Sequence, residues 1–285
     1  MANRIGFKEF LKKLDKEEEV QLIVDANVII AYRDKNHKDH ETIREFFRDL
    51  TRDAQKILLF TTVTTKSEFL EYYRRKIITE AILAIYKRNR EKQIVSDRVK
   101  QEIENQIRAR NLRQNREIEK QEQFEKKLQA QSIDTTELDV EGFSIDANYF
   151  KDSEIKSIKK AFRARDVQEE IGWLKICSVM LVDRMHEYEK LLDEFCHYLT
   201  TRDEVSKTYF IKEDVEWRKA TQICAETGMG FSDAMILNMA NHTNIEHIVT
   251  LDFDLVYGGH VSAIHKTIVT PTDRLKNYKN ILKGI

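Results

Sequence analysis

Five acidic residues stand where a carboxylate could do chemistry rather than merely face water. Asp25 interrupts VQLIVDANVIIA, Val20–Ala31, a run that is almost wholly apolar on both sides of it. An ionised carboxylate in such surroundings is costly unless a cation meets it. Glu68 lies in TKSEFL, just after the aliphatic run Lys56–Val63. Asp233 lies in GFSDAMILNMA, and Asp252 and Asp254 in VTLDFDL, at the end of the run Ile245–Leu251. Carboxylates brought within about 4 Å repel by roughly 1 kcal/mol in water and about 4 near a protein surface. A fold that collects four or five of them therefore needs compensating charge. A hard divalent ion, Mg²⁺ or Mn²⁺, suits an all-oxygen set. The chemistry such an ion supplies is activation of a water and neutralisation of charge on a phosphate under attack.

Taken singly, the acids have ordinary explanations. Thr65-Lys66-Ser67-Glu68 fits a capping box, Asp233 falls in a helical first turn where the dipole favours any carboxylate, and Asp252 and Asp254 suit a turn. The string Ile145-Asp146-Ala147-Asn148 repeats the local pattern around Asp25 inside a polar segment, so the strand context carries the weight. No zinc-like framework competes, since His37/His40, His242/His247 and His260/His265 lack its spacing. Gly228-Met229-Gly230 lacks the lysine of a phosphate loop.

The elements that must position these acids alternate. Ile5–Glu18 reads as an amphipathic helix, and Val20–Ala31 reads as a strand buried on both faces. A helix near His40–Arg52, the strand Lys56–Val63 and a helix opening at Thr65 follow. After the turn at Gly228, a helix Phe231–Asn241 precedes the strands Ile245–Leu251 and Lys266–Thr270. Strands alternating with helices predict an α/β fold on a parallel sheet, discontinuous over residues 1–85 and 218–285. The intervening 86–217 is a predicted all-α insertion of 132 residues. It opens with a helix or helical hairpin rich in Lys and Arg, from Tyr86 to Gln131, with a thin seam at Val95, Val99, Ile103 and Ile107. Helices near Asp152–Arg163, Val167–Thr200 and Glu213–Glu226 complete it.

In order and surroundings, VDANVI, TKSEFL, GFSDAMILNMA and VTLDFDL resemble the PIN-domain nucleases. The resemblance covers residues 20–85 and 228–270. It implies a three-layer α/β/α sandwich and metal-dependent phosphodiester hydrolysis by an endoribonuclease, with Mg²⁺ or Mn²⁺ as cofactor and single-stranded RNA favoured over DNA. By matching position, Asp25, Glu68, Asp233 and Asp252 are the implied catalytic and metal-binding quartet, with Asp254 an auxiliary metal ligand. Asn27, Ser232 and Thr250 are implied to orient the carboxylates, and Glu71 is the alternative to Glu68. A toxin or defence role under an inhibitory partner protein comes with the family. Small PIN toxins are little more than the catalytic domain, and the 132-residue insertion is the departure. Two other readings stay open: a flap-type or single-strand DNA nuclease with the insertion as an arch, and a non-catalytic scaffold that binds nucleic acid or protein.

The totals set outer bounds. A net charge of -1 argues against a generally basic, nucleic-acid-coating protein. Nucleic-acid contact must come from a local patch, for which Arg108, Arg110, Arg113 and Arg116 are candidates; a solvated charged helix and self-association through the seam are the alternatives. Three cysteines without CxxC spacing predict reduced thiols in the cytoplasm. No run approaches the ~20 apolar residues of a membrane helix.

Overall fold

The structure is a computed structural model that describes residues 3–14, 19–130, 148–162, 172–211, 215–261 and 265–275. Residues 145–147 of the repeated string, and with them most of the polar segment from 131, lie outside the described residues, as do residues 163–171 and 212–214 of the predicted helices. Two compact units form, one from residues 1–69 and 192–285, the other from 70–191.

In chain order the elements are β1 (Asn3–Gly6), α1 (Phe7–Lys13), β2 (Glu19–Val24), α2 (Ala26–Arg33), α3 (His40–Asp53), β3 (Lys56–Thr61) and α4 (Val63–Asn89). Then come α5 (Asp97–Ala130), α6 (Asp152–Ala161), α7 (Trp173–Ile176), a π turn at Cys177–Leu181 and α8 (Val182–Phe195). The chain finishes with β4 (His197–Tyr198), a 3₁₀ turn at Ser206–Tyr209, α9 (Arg218–Thr227), α10 (Phe231–Asn241), β5 (His247–Val249), α11 (Phe253–Val261) and β6 (Thr267–Thr270).

The strands of the first unit make one six-stranded sheet in the order β1-β6-β5-β2-β3-β4, every pair parallel. The α/β expectation is what the structure has. Register explains the core. Ile23 lies opposite both Phe60 and Ile248, and Ile248 opposite Ile268. This fully buried row packs against Ile223 of α9, Ala234 and Leu237 of α10, and Leu255 of α11. Neighbouring residues point the other way. There the ring of His247 meets Phe10 of α1 at 5.0 Å, and Phe46 of α3 lies 4.1 Å from Phe7 and 6.1 Å from Phe10. Helices thus cover both faces, as a parallel sheet requires.

The structure corrects the pattern in four places. Val20–Ala31 is not one strand: the chain leaves β2 at Val24, and Asp25 caps a buried α2. A short apolar run cannot by periodicity alone separate a buried strand from a buried helix. The predicted helix Ile5–Glu18 begins as edge strand β1, and α1 has only seven residues. His197–Tyr198, expected inside a helix, pairs with Phe60–Thr61 as the opposite edge. The run from Tyr86 is two helices, because Asn89 Oδ1 accepts from the backbone of Ile94 and Val95 and turns the chain between α4 and α5.

The compositional change at 85/86 and 217/218 is not where the compact units divide. The division falls at 69/70 and 191/192, because α4 runs on past Phe69 and the chain after α8 returns to the sheet as β4. In the second unit, Val95, Val99 and Ile103 are buried against Ile78, Ile82, Ile155 and Ile158, around Phe150. Ile107, the last residue of that seam, is half-buried at the edge of the same cluster. Among the described residues no helix is long and apolar enough to cross a membrane.

Gly6 closes β1 where the chain after β6 crosses it. A Cβ there would stand 3.0 Å from Thr272 Cα and 2.8 Å from Thr272 Oγ1. Gly6→Ala is expected to lower unfolding stability by about 1–3 kcal/mol, the usual cost of overpacking, read as a lower urea midpoint. An unchanged midpoint would show that this crossing is loose.

Candidate functional site

β2 is the strand at which the chain's path divides. The next strand, β3, lies on one side of it, while β5 lies on the other. In open parallel sheets the crevice beyond the carboxyl ends at such a switch point is where ligands bind. The residue directly after β2 is Asp25; Asp252 is the third residue after β5.

The two acids are joined through Thr250. Asp25 Oδ1 accepts from the Ala26 amide at 2.6 Å and Oδ2 from the Thr250 hydroxyl at 2.8 Å. Thr250 Oγ1 in turn accepts from the Asp252 amide at 2.9 Å. Asp252 Oδ1 accepts from the Asp254 amide at 2.7 Å, so Asp252 turns the chain into α11 much as Asp25 turns it into α2. Asn27 Oδ1 holds the Leu251 amide at 3.1 Å and ties α2 to that same turn. Thr250 thus bonds a carboxylate directly, whereas Asn27 bonds only the backbone of the turn.

Glu68 and Asp233 arrive from α4 and α10. The capping-box explanation of Glu68 does not hold. Thr62 caps α4, accepting from the Thr65 amide at 3.1 Å, and Glu68 stands further into the helix. Its carboxylate is bonded instead by the Ser232 hydroxyl on α10. Asp233 sits in the first turn of α10, one residue beyond Ser232. Its carboxylate folds back over Gly230, where a Cβ would stand 3.0 Å from Asp233 Oδ2. Asp254 is exposed at the rim. Glu71, the alternative to Glu68, belongs to the second unit and is held by Arg74 Nε at 2.7 Å.

The electrostatics bring the quartet together. Burial pushes the Asp25 carboxyl up to about 7; the Thr250 bond opposes this, and Glu68 and Asp252 reinforce it. Asp233 is also pushed up to about 7, by burial and then by Asp252, Asp25, Glu68 and Asp254. Glu68 and Asp252 are raised as well, chiefly by burial. Each carboxylate feels at least one of the others, and Asp25 is only 2% exposed. The donor set is entirely carboxylate oxygen, which fits a hard divalent cation. Among the described residues, no group of three or more His, Cys, Asp or Glu side chains is arranged to hold a metal ion.

One contributor carries no signal in the sequence. Arg274, beyond β6, donates Nη1 to Leu251 O at 2.6 Å and Nη2 to both oxygens of Asp39, at 2.8 and 2.9 Å. It braces the turn that presents Asp252 and is the cation that favours the charged form of Asp252. A lone arginine near the end of the chain has no motif around it. Its role exists only once β6 lies beside β5.

The four arginines named for nucleic-acid contact sit on α5, in the second unit. Arg113 is bonded to Glu154, with Nη2 3.0 Å from Oε2, and to Tyr149 O at 3.2 Å. Arg110 lies 5.8 Å from the centre of the Phe150 ring. Arg108 and Arg116 are exposed. Compared with models of known protein families, with curated proteins and with solved structures, the chain matches none.

Two outcomes follow. A carboxyl whose folded pKa exceeds its ordinary value weakens the fold as pH rises from that ordinary value through the folded one. For Asp233 the window runs from 3.8 to about 7. Without divalent metal, Asp233→Asn should therefore be more stable than wild type at pH 8, by up to a few kcal/mol. The gain should vanish near pH 4, as paired denaturation curves would show; a variant less stable at pH 8 would contradict the shared repulsion. Arg274→Met leaves Asp39 buried and unpaired and is expected to cost about 3–5 kcal/mol. Asp39→Asn in the same chain should recover part of that loss, and a double mutant that loses the sum of both changes would contradict the pairing.

Proposed function

We propose that this chain is a divalent-metal-dependent nuclease of PIN-like build that cuts single-stranded RNA. The observation that carries the reading is the convergence of four carboxylates, from four separate segments, on the switch point of a parallel sheet. Two of them, Asp25 and Asp233, are held near pKa 7 by burial and by the other acids. Such repulsion is relieved by a cation, and Mg²⁺ in particular is commonly bound by one or two carboxylates together with waters and substrate phosphate rather than by an all-protein cage. RNA as substrate rests on the resemblance in VDANVI, TKSEFL, GFSDAMILNMA and VTLDFDL.

A bound divalent ion supplies a Lewis-acid contact to the phosphate and lowers the pKa of a water. Asp25, Asp233 and Asp252 would hold that ion, directly or through water, with Asp254 as an auxiliary ligand. Glu68, which the Ser232 hydroxyl bonds, would be the group to help position the attacking water. Thr250 keeps Asp25 and Asp252 in register by donating to one and accepting from the backbone of the other.

The test is cleavage of end-labelled single-stranded RNA and DNA with Mn²⁺ or Mg²⁺, with chelator, and by the Asp25→Asn and Asp233→Asn proteins. Cutting that needs metal and falls at least about 100-fold in either variant is expected. Folded, metal-loaded wild type that cuts neither strand would overturn the nuclease and leave a binding scaffold. Cutting of DNA alone would overturn the RNA assignment.

A further inference from the structure

The loop between α2 and α3 carries a buried histidine. The His37 side chain is 2% exposed. Its Nδ1 accepts from the Asp39 amide, two residues on, at 3.1 Å. A backbone N–H can only donate, so Nδ1 bears no proton and the ring is neutral, with its hydrogen on Nε2. Nε2 is buried without a hydrogen-bond partner among the described residues. Burial holds the ring below its ordinary 6.5; Asp39 and Asp34 on the same loop oppose this, while Lys38 and, from beyond β6, Arg274 reinforce it.

Directed bonds tie this ring to the turn that presents Asp252. Asp39 Oδ2 lies 3.6 Å from the same Nδ1. Both oxygens of that carboxylate accept from Arg274 Nη2, at 2.8 and 2.9 Å, and Arg274 Nη1 donates to Leu251 O at 2.6 Å. Leu251 immediately precedes Asp252. A second proton on His37 must go to Nδ1, where it faces the Asp39 N–H, donor against donor. The amide bond is then lost, and the acceptor within reach of the new N–H is Asp39 Oδ2, which Arg274 already holds.

We propose that His37 is an acid-sensitive latch on the Asp252 turn. Neutral, it holds the loop so that Asp39 anchors Arg274. Protonated, it draws Asp39 away from Arg274, and the turn loosens. His37, Asp39 and Arg274 are positioning residues, acting on the carboxylates through the Leu251 carbonyl. The latched form disfavours the second proton. It is therefore fully populated above 6.5 and loses ground to the loosened form as pH falls below that value, by up to about tenfold per pH unit. The latch is a property of the fold; its effect on cleavage rests on the nuclease reading.

The test is hydrogen exchange of the metal-free protein from about pH 7 to about pH 5, corrected for intrinsic amide exchange, with β2 as the reference for global opening. Protection of residues 250–256 relative to β2 should fall about tenfold more in wild type than in His37→Asn. Asparagine accepts from the amide two residues on without titrating, and His37→Gln is the second non-titrating chain should His37→Asn fail to fold. The acids of the site are present in all these chains, so the difference between profiles isolates His37. In Arg274→Met/Asp39→Asn, where the link is cut, adding His37→Asn should change nothing. Equal profiles in wild type and the His37 variants, or a His37 effect that persists in the cut chain, would overturn the latch. In a second arm, cleavage of single-stranded RNA in Mg²⁺ should fall more steeply with acid in wild type than in His37→Asn. Cleavage without His37-dependent protection would keep the nuclease and overturn the latch. His37-dependent protection beside a wild type that cuts nothing would keep the latch and overturn the nuclease.

Discussion

The repulsion among carboxylates at the carboxyl end of the sheet is the constraint on which the rest of the first unit depends. Two parallel strands, β2 and β5, lie side by side, and each is followed by an acid that also turns the chain into a helix. That double duty fixes where the acids can go. Asp25 cannot move to water without uncapping α2, and Asp252 cannot move without loosening the start of α11. The fold therefore holds both charges close to each other and to Glu68 and Asp233. That repulsion is offset by directed hydrogen bonds from Thr250, Ser232 and backbone amides. Arg274 acts one step removed, bracing the turn through Leu251 and anchored by Asp39.

Much of this site is legible in the sequence, because a buried acid in an aliphatic run has few explanations. Asp25 stands out by its apolar flanks, and Asp233 and Asp252 by their places at a helix start and after a strand; Asn27, Ser232 and Thr250 are named only through the resemblance in the four motifs. Glu68 is legible too, although its capping-box alternative falls only when Thr62 is seen to cap α4. Other features depend on partners distant in sequence. β1 and β4 are four and two residues long, too short for periodicity to register, and exist because β6 and β3 offer them edges. Arg274 acquires its role only when the last segment crosses the site. The break after Val24 is hidden because α2, like β2, is buried on nearly every side.

The second unit shows the complementary case. Its charged helix α5 invites a reading as an RNA-binding arm or a self-association seam. Val95, Val99 and Ile103 of that seam are buried against α4 and α6 while Ile107 is half-buried, and Arg113 is engaged by Glu154 and Tyr149 while Arg108 and Arg116 are exposed. Charge density in a sequence does not distinguish a binding stripe from the polar shell of a helical core. The two become distinct only when the partners of each arginine are known.

The central claim is that the acids share one site whose charge a divalent cation relieves. Its most direct test is calorimetric titration of Mg²⁺ or Mn²⁺ into the protein at pH 7, in two buffers of different ionisation enthalpy. Burial and the neighbouring acids hold the Asp25 and Asp233 carboxyls far above the ordinary carboxylate range, so binding should release protons and the apparent enthalpy should differ between the buffers. Binding without proton release, or no binding to a folded protein, would contradict the account.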